Sequence, residues 1–141
     1  MAQRIAPAGA QSVAIIITGA TIHTGNGQVI ENGAIVFSNG KITYVGTAAN
    51  APASGATIID AKGKQVYPGI IAPVTNIGLN EIEAARATND YAEVGDYNPG
   101  TRSLIAYNTD SKVILTVRFN GVLLYQVAPQ GGIISGTSSV M

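Results

Sequence analysis

Few side chains in this sequence are equipped for chemistry, and their scarcity narrows the choices. The chain has one histidine, His23, and no cysteine. A site of several imidazoles, a thiolate nucleophile and a cysteine-held zinc are therefore all excluded within it. His23 stands beside Thr24-Gly25-Asn26-Gly27 and reads as an exposed or hydrogen-bonded turn residue; a Ser–His nucleophile pair has no further support. The carboxylates gather in one region, where Glu81, Glu83, Asp90, Glu93 and Asp96 are interspersed with Arg86 and Arg102. Such a group can line the rim of a binding site, or it can be solvated loop charge whose ion pairs contribute little. Gly131-Gly132-Ile133-Ile134-Ser135-Gly136 can present backbone N–H groups to an anion. It lacks both GxGxxG and a GK[ST] ending, however, and reads more simply as a loop. Tyr67, Tyr91, Tyr97, Tyr107 and Tyr125 show no stacking period and read as packing residues.

The elements that must position these residues change character near Pro68. From Val13 to about Val66 the chain alternates short β-rich segments with turn signals. Ala34-Ile35-Val36-Phe37 and Lys41-Ile42-Thr43-Tyr44-Val45 flank Ser38-Asn39-Gly40, and Asn-Gly in that position is a strong hairpin signal, because a type I′ turn needs positive φ at both central residues. Thr57 to Asp60 is a further strand, and Ala61-Lys62-Gly63-Lys64 turns the chain into Gln65-Val66-Tyr67. This predicts a small antiparallel β-sandwich over 13–67.

Beyond Pro68, Ile70 to Thr75 reads as a buried strand. Asn80 to Ala87 fits either a helical turn capped by Asn80 or an extended segment with Glu81 and Glu83 on one face. Asp90 to Thr109 should be mostly loop. Asp110 to Asn120 is the best helix, with Asp110 or Ser111 as its cap and Gly121 at C′. Val122 to Val127 is a second buried strand. Strand, connection, helix, strand is the order of a βαβ unit.

Composition bounds the rest. The 141 residues carry eight basic and eight acidic side chains, and charged residues make up 11%. This balance, with no basic run, argues against nucleic acid as a partner. No stretch approaches the ~20 apolar residues of a membrane-spanning helix. Residues 1–12 read as a flexible tail, either an ordinary one or one left after removal of a signal peptide; the latter would make the protein periplasmic or secreted. Residues 133–141 read as the middle of a longer chain.

Six blocks carry a resemblance to a known family. Asn39-Gly40-Lys41-Ile42 with Val45-Gly46, then Asp60-Ala61-Lys62-Gly63-Lys64, then Pro68-Gly69-Ile70-Ile71 are similar to the β-domain and barrel entrance of the amidohydrolase superfamily. Leu79 to Asp90, Asn108-Thr109-Asp110-Ser111, and Asn120-Gly121-Val122-Leu123 with Gly131-Gly132-Ile133-Ile134-Ser135-Gly136 resemble its imidazolonepropionase-like branch. The resemblance implies that 68–141 begins a (β/α)8 barrel, incomplete here because such a barrel needs about 250 residues. It implies metal-dependent hydrolysis of amide or other C–N bonds in a complete protein, with a zinc-like divalent ion as cofactor. In the family the first barrel strand reads Pro-Gly-apolar-apolar-Asp-x-His-x-His. Here the Asp position is Ala72 and the histidine positions are Val74 and Asn76, so no catalytic residue and no metal ligand is assigned. Thr75, Asn76 and Glu81, at the end of that strand, are the candidate substrate-binding residues. Two readings follow: a portion of a hydrolase, inactive alone, or a non-catalytic binding or structural relative on the same scaffold. The expected partners are the remainder of the same protein or further copies of the chain, with a small-molecule substrate possible.

Overall fold

The computed structural model describes residues 9–141, which divide into two compact units, one ending at Pro68 and the other beginning at Gly69. The first unit is one five-stranded sheet. It comprises β1 (Ile15–His23), β2 (Val29–Ser38), β3 (Lys41–Thr47), β4 (Thr57–Asp60) and β5 (Gln65–Val66). Strands β1, β2 and β3 form an antiparallel meander. The β2–β3 connection is the expected two-residue turn, with Asn39 at φ 52° and Gly40 at φ 71°.

The expected all-antiparallel sandwich is corrected in two respects: there is a single sheet, and β1 pairs in parallel with both β4 and β5. The reason lies in β1. Gly19, at φ 82°, puts one extra residue into the β1 side of the ladder, and Asn32, at φ 46°, restores the register from β2. A bulge of this kind bends a strand and exchanges its two faces. Ile16 therefore packs with Ala34 and Val36, whereas Ile17 joins Ala20, Ile22 and Ala61 in a second cluster. Each half of β1 also has its own parallel neighbour, Ile15–Thr18 beside β4 and Thr21–Ile22 beside β5. The Asp60–Lys64 turn wraps around the bulge: Ala61 N–H donates to Thr18 O at 2.8 Å, and Thr21 N–H donates to Lys64 O at 3.0 Å. Of the expected tail, residues 1–8 lie outside the described residues. Gln11 donates through Nε2 to the carbonyls of Val13 and Phe37, both at 2.9 Å.

The second unit contains β6 (Ile70–Thr75), a short α1 (Ser103–Ala106), α2 (Lys112–Phe119), β7 (Val122–Val127) and β8 (Ser139–Val140). Strands β6 and β7 are parallel, and β8 adds antiparallel to the other side of β7. The pairing skips between Ala72 and Thr75, around Pro73, which has no N–H to give a ladder. The core is Leu79, Tyr125 and Val127, with Ala72, Tyr107, Val117 and Val122 packed on it.

Helix α2 falls where the sequence placed it. Ser111 is its N-cap residue, and Gly121, at φ 87°, donates its N–H to Arg118 O at 3.0 Å. The cap differs from expectation, because the Ser111 side chain makes no cap hydrogen bond. The segment from Asn80 adopts neither expected form. It is a closed loop, bridged from Asn80 to Asn89, with one 3-10 turn at Arg86–Thr88. The Thr88 hydroxyl bonds the carbonyls of Ile82 and Ala85, both at 2.9 Å, and so takes up loop groups that a helix would have satisfied. No helix among the described residues is long and apolar enough to cross a membrane.

Candidate functional site

In parallel sheets, ligands collect outside the carboxyl ends of the strands, where the following loops begin. For β6 and β7 those ends are Thr75-Asn76 and Val127-Ala128, joined by Ala128 N–H donating to Thr75 O at 3.0 Å. The Thr75 hydroxyl also donates to Gln126 O at 3.1 Å, which ties the two strands. The Asn76 carbonyl accepts from Leu79 N–H at 2.9 Å in a turn whose Gly78 stands at φ 79°. A Cβ on Gly78 would come within 2.5 Å of the Tyr107 ring, so the buried turn depends on glycine for both space and conformation. Thr75 and Asn76 thus lie together at the strand end. Glu81 is directed elsewhere: its Oε1 accepts from Asn108 Nδ2 at 3.2 Å. Asn108 in turn accepts from Asp110 N–H through Oδ1 and so forms the turn that enters α2.

Two long loops, one after each of these strands, are laced together. Isolated parallel bridges pair Ala92 with Gln130, Tyr97 with Ile134 and Arg102 with Thr137. Gln130 N–H donates to Tyr91 O at 2.6 Å, and Thr137 N–H donates to Thr101 O at 2.8 Å. The N–H groups of Ile133 and Ile134 both donate to Asp96 O, at 2.8 and 2.9 Å. Two amides of the glycine-rich stretch, those of Ile133 and Ile134, are therefore spent on a protein carbonyl. Its glycines permit the approach: a Cβ on Gly132 would lie 2.8 Å from Asp96 O, and one on Gly136 would lie 2.5 Å from Thr101 O.

This lacing brings three members of the charged cluster into one cavity of about 180 Å³. Asp90, Glu93 and Arg102 line it, together with Ser103, Ile105, Ala106 and Pro129. Ser103 is 2% exposed, and its hydroxyl has no hydrogen-bond partner. Sequence reasoning missed Ser103, which fell in a stretch read as loop and carried no signal of its own. Glu81, Glu83, Arg86 and Asp96 do not line the cavity.

His23 lies in the first unit. Its Nε2 is 2.7 Å from Gln65 Oε1, and its ring stacks on Tyr67 at 4.3 Å and 8°. This is the hydrogen-bonded histidine that the sequence led one to expect. Tyr107 and Tyr125 bond hydroxyl to hydroxyl at 2.5 Å. Burial, and then the bond to Tyr125, hold the Tyr107 hydroxyl well above the usual phenol range.

A metal of the kind the family uses does not fit the residues of this chain. Val74 offers no donor and its side chain is 68% exposed, and the other ligand position is the neutral amide of Asn76. Among the described residues no three His, Cys, Asp or Glu side chains are grouped for an ion.

No family model matches the chain. Imidazolonepropionases from Bacillus thuringiensis (strain Al Hakam) and Bacillus anthracis (strain CDC 684 / NRRL 3495) are each 39% identical to it over 83 residues. Those matches cover 55% of this chain and 20% of each relative, so the chain spans about a fifth of the curated relatives it matches. Among solved structures, an amidohydrolase from Thermotoga maritima MSB8 superposes with a TM-score of 0.82 at 26% identity. It covers 89% of this chain and 33% of its own.

Proposed function

Since this chain is an N-terminal portion of the amidohydrolase-superfamily type, we propose that it supplies the leading β-domain and the first barrel elements of an amidohydrolase-like hydrolase. In this reading β6, α2 and β7 open a (β/α)8 barrel. The complete protein hydrolyses amide or other C–N bonds with a divalent metal, whose ligands come from outside these residues, and the 141-residue chain alone is inactive. The observation that carries the reading is the likeness to the Thermotoga maritima amidohydrolase, which extends over 89% of the chain.

The exposed apolar residues support the same reading. Ile70, Ile71, Leu123 and Leu124 on β6 and β7 are between 46% and 67% exposed, and β6 pairs on one side only. Further barrel strands, or a second copy of the chain, would cover them. Thr75 and Asn76 then contribute to the substrate face at the end of the first barrel strand, whereas Glu81, bonded to Asn108, does not.

A specific observation favours a second reading. Ala72, Val74 and Asn76 stand where the family's first strand carries its acid and its two metal-binding histidines. A non-catalytic binding protein on the same scaffold would carry such a strand. The two readings separate in a hydrolysis assay of the complete protein against a panel of linear and cyclic amides, run beside the 141-residue chain. Turnover by the complete protein alone supports the hydrolase reading. Turnover by neither, from folded material, supports the binding protein.

A further inference from the structure

We propose that the cavity at the carboxyl end of β7 is a binding site for a small zwitterion carrying both an ammonium and a carboxylate, of the size of a short-chain amino acid. The proposal rests on this chain's own residues and is independent of the hydrolase reading.

The lining selects the ligand by charge. Asp90 and Glu93 place two carboxylates on the cavity, and Arg102 places a guanidinium there. A simple anion would face the carboxylates, and a simple cation would face the guanidinium. A ligand with both charges satisfies both, and the planar guanidinium is well suited to a carboxylate. Ser103 supplies a second and separate observation. Burying a hydroxyl without a partner is unfavourable, yet Ser103 does so on this cavity wall. The oxygen is itself shut off from solvent, so its side chain would turn toward the cavity to meet a polar ligand atom.

Size selects further. The cavity measures about 180 Å³, below the ~300–1,000 Å³ of sites for larger ligands, which suits a ligand smaller than a nucleotide or an oligosaccharide. Ile105, Ala106 and Pro129 give it an apolar portion for a short side chain. The surrounding loops are fixed by main-chain bonds, including Ser103 N–H to Thr137 O at 3.1 Å. The charged side chains therefore extend from a backbone already ordered before binding.

Isothermal titration of the 141-residue chain with L-alanine tests this, with ethylammonium chloride and sodium propionate as single-charge probes. The expected result is saturable binding of L-alanine with a Kd of about 1 mM or tighter, and each single-charge probe at least about tenfold weaker. Arg102→Gln, and the pair Asp90→Asn with Glu93→Gln, should each weaken L-alanine by about tenfold or more. All three positions are exposed, so folding should be retained. Ser103→Ala should weaken binding while leaving the melting temperature equal or higher, which a merely structural serine would not do. Absence of saturation by L-alanine would overturn the proposal. So would equal affinity for either single-charge probe, or unchanged affinity in Arg102→Gln.

Discussion

Gly136→Ala is the sharpest test of how the candidate site is held together. Gly136 stands at φ 123°, and a Cβ built on it would lie 2.5 Å from Thr101 O and 2.8 Å from Thr101 Cβ. The first contact is with backbone, so no side-chain rotation relieves it. The backbone conformation costs a non-glycine residue about 1–3 kcal/mol. Opening the contact also separates Thr137 N–H from Thr101 O and Ser103 N–H from Thr137 O, now at 2.8 and 3.1 Å. Each such bond is worth about 1 kcal/mol. Together the loss should be about 3–5 kcal/mol, enough to lower the melting temperature by on the order of 15 °C in a unit of this size. The assay is thermal unfolding followed by circular dichroism. Gly100→Ala serves as the control, because nothing lies within 4 Å of its Cβ position and its φ is not left-handed. If Gly136→Ala melts within about 2 °C of the parent, as an unconstrained surface change would, the laced loops do not hold the site as described.

The remaining expectations concern smaller features. Ser111→Ala should change stability by less than about 0.5 kcal/mol, because its buried hydroxyl makes no cap bond; a loss near the ~1 kcal/mol of a working N-cap would show otherwise. Tyr125→Phe leaves the Tyr107 hydroxyl without its partner and should cost about 1–2 kcal/mol in urea unfolding. A raised folded pKa gives stability that is fully present below the unfolded value of about 10 and declines as pH rises past it. Alkaline unfolding of the second unit should therefore be less steep in Tyr107→Phe, as read from amide exchange around β7. The 141-residue chain alone should associate at high concentration through the exposed faces of β6 and β7, and a stable monomer by light scattering would contradict this.

Local signals in the sequence translated well wherever one or two residues determine the geometry. Asn39-Gly40 specified its turn because the turn needs two positive φ angles, and Gly121 ended α2 for a related reason. The short apolar runs of β6 and β7, with the helix between them, form the expected parallel pair, since the connection is long enough for a crossover. They are not the buried strands expected, however: Ile70, Ile71, Leu123 and Leu124 stand exposed, with β6 paired on one side only. The parallel edge of the first sheet was not legible, because it depends on how β4 crosses back after the nine residues 48–56, and no turn signal encodes that. Gly19 was visible as a glycine, but its exchange of faces within β1 emerges only from the paired register. The charged cluster was legible as a cluster. That Asp90, Glu93 and Arg102 share a cavity while Glu81 turns toward Asn108 depends on loop lacing between residues some 40 positions apart, which single-residue propensities do not carry.

Metal analysis of the complete protein, purified without chelators beside the 141-residue chain, tests the central reading most directly. The reading expects about one equivalent or more of a transition metal in the complete protein and less than about a tenth in the chain alone. Less than about a tenth of an equivalent in the folded complete protein would contradict it and leave the non-catalytic scaffold.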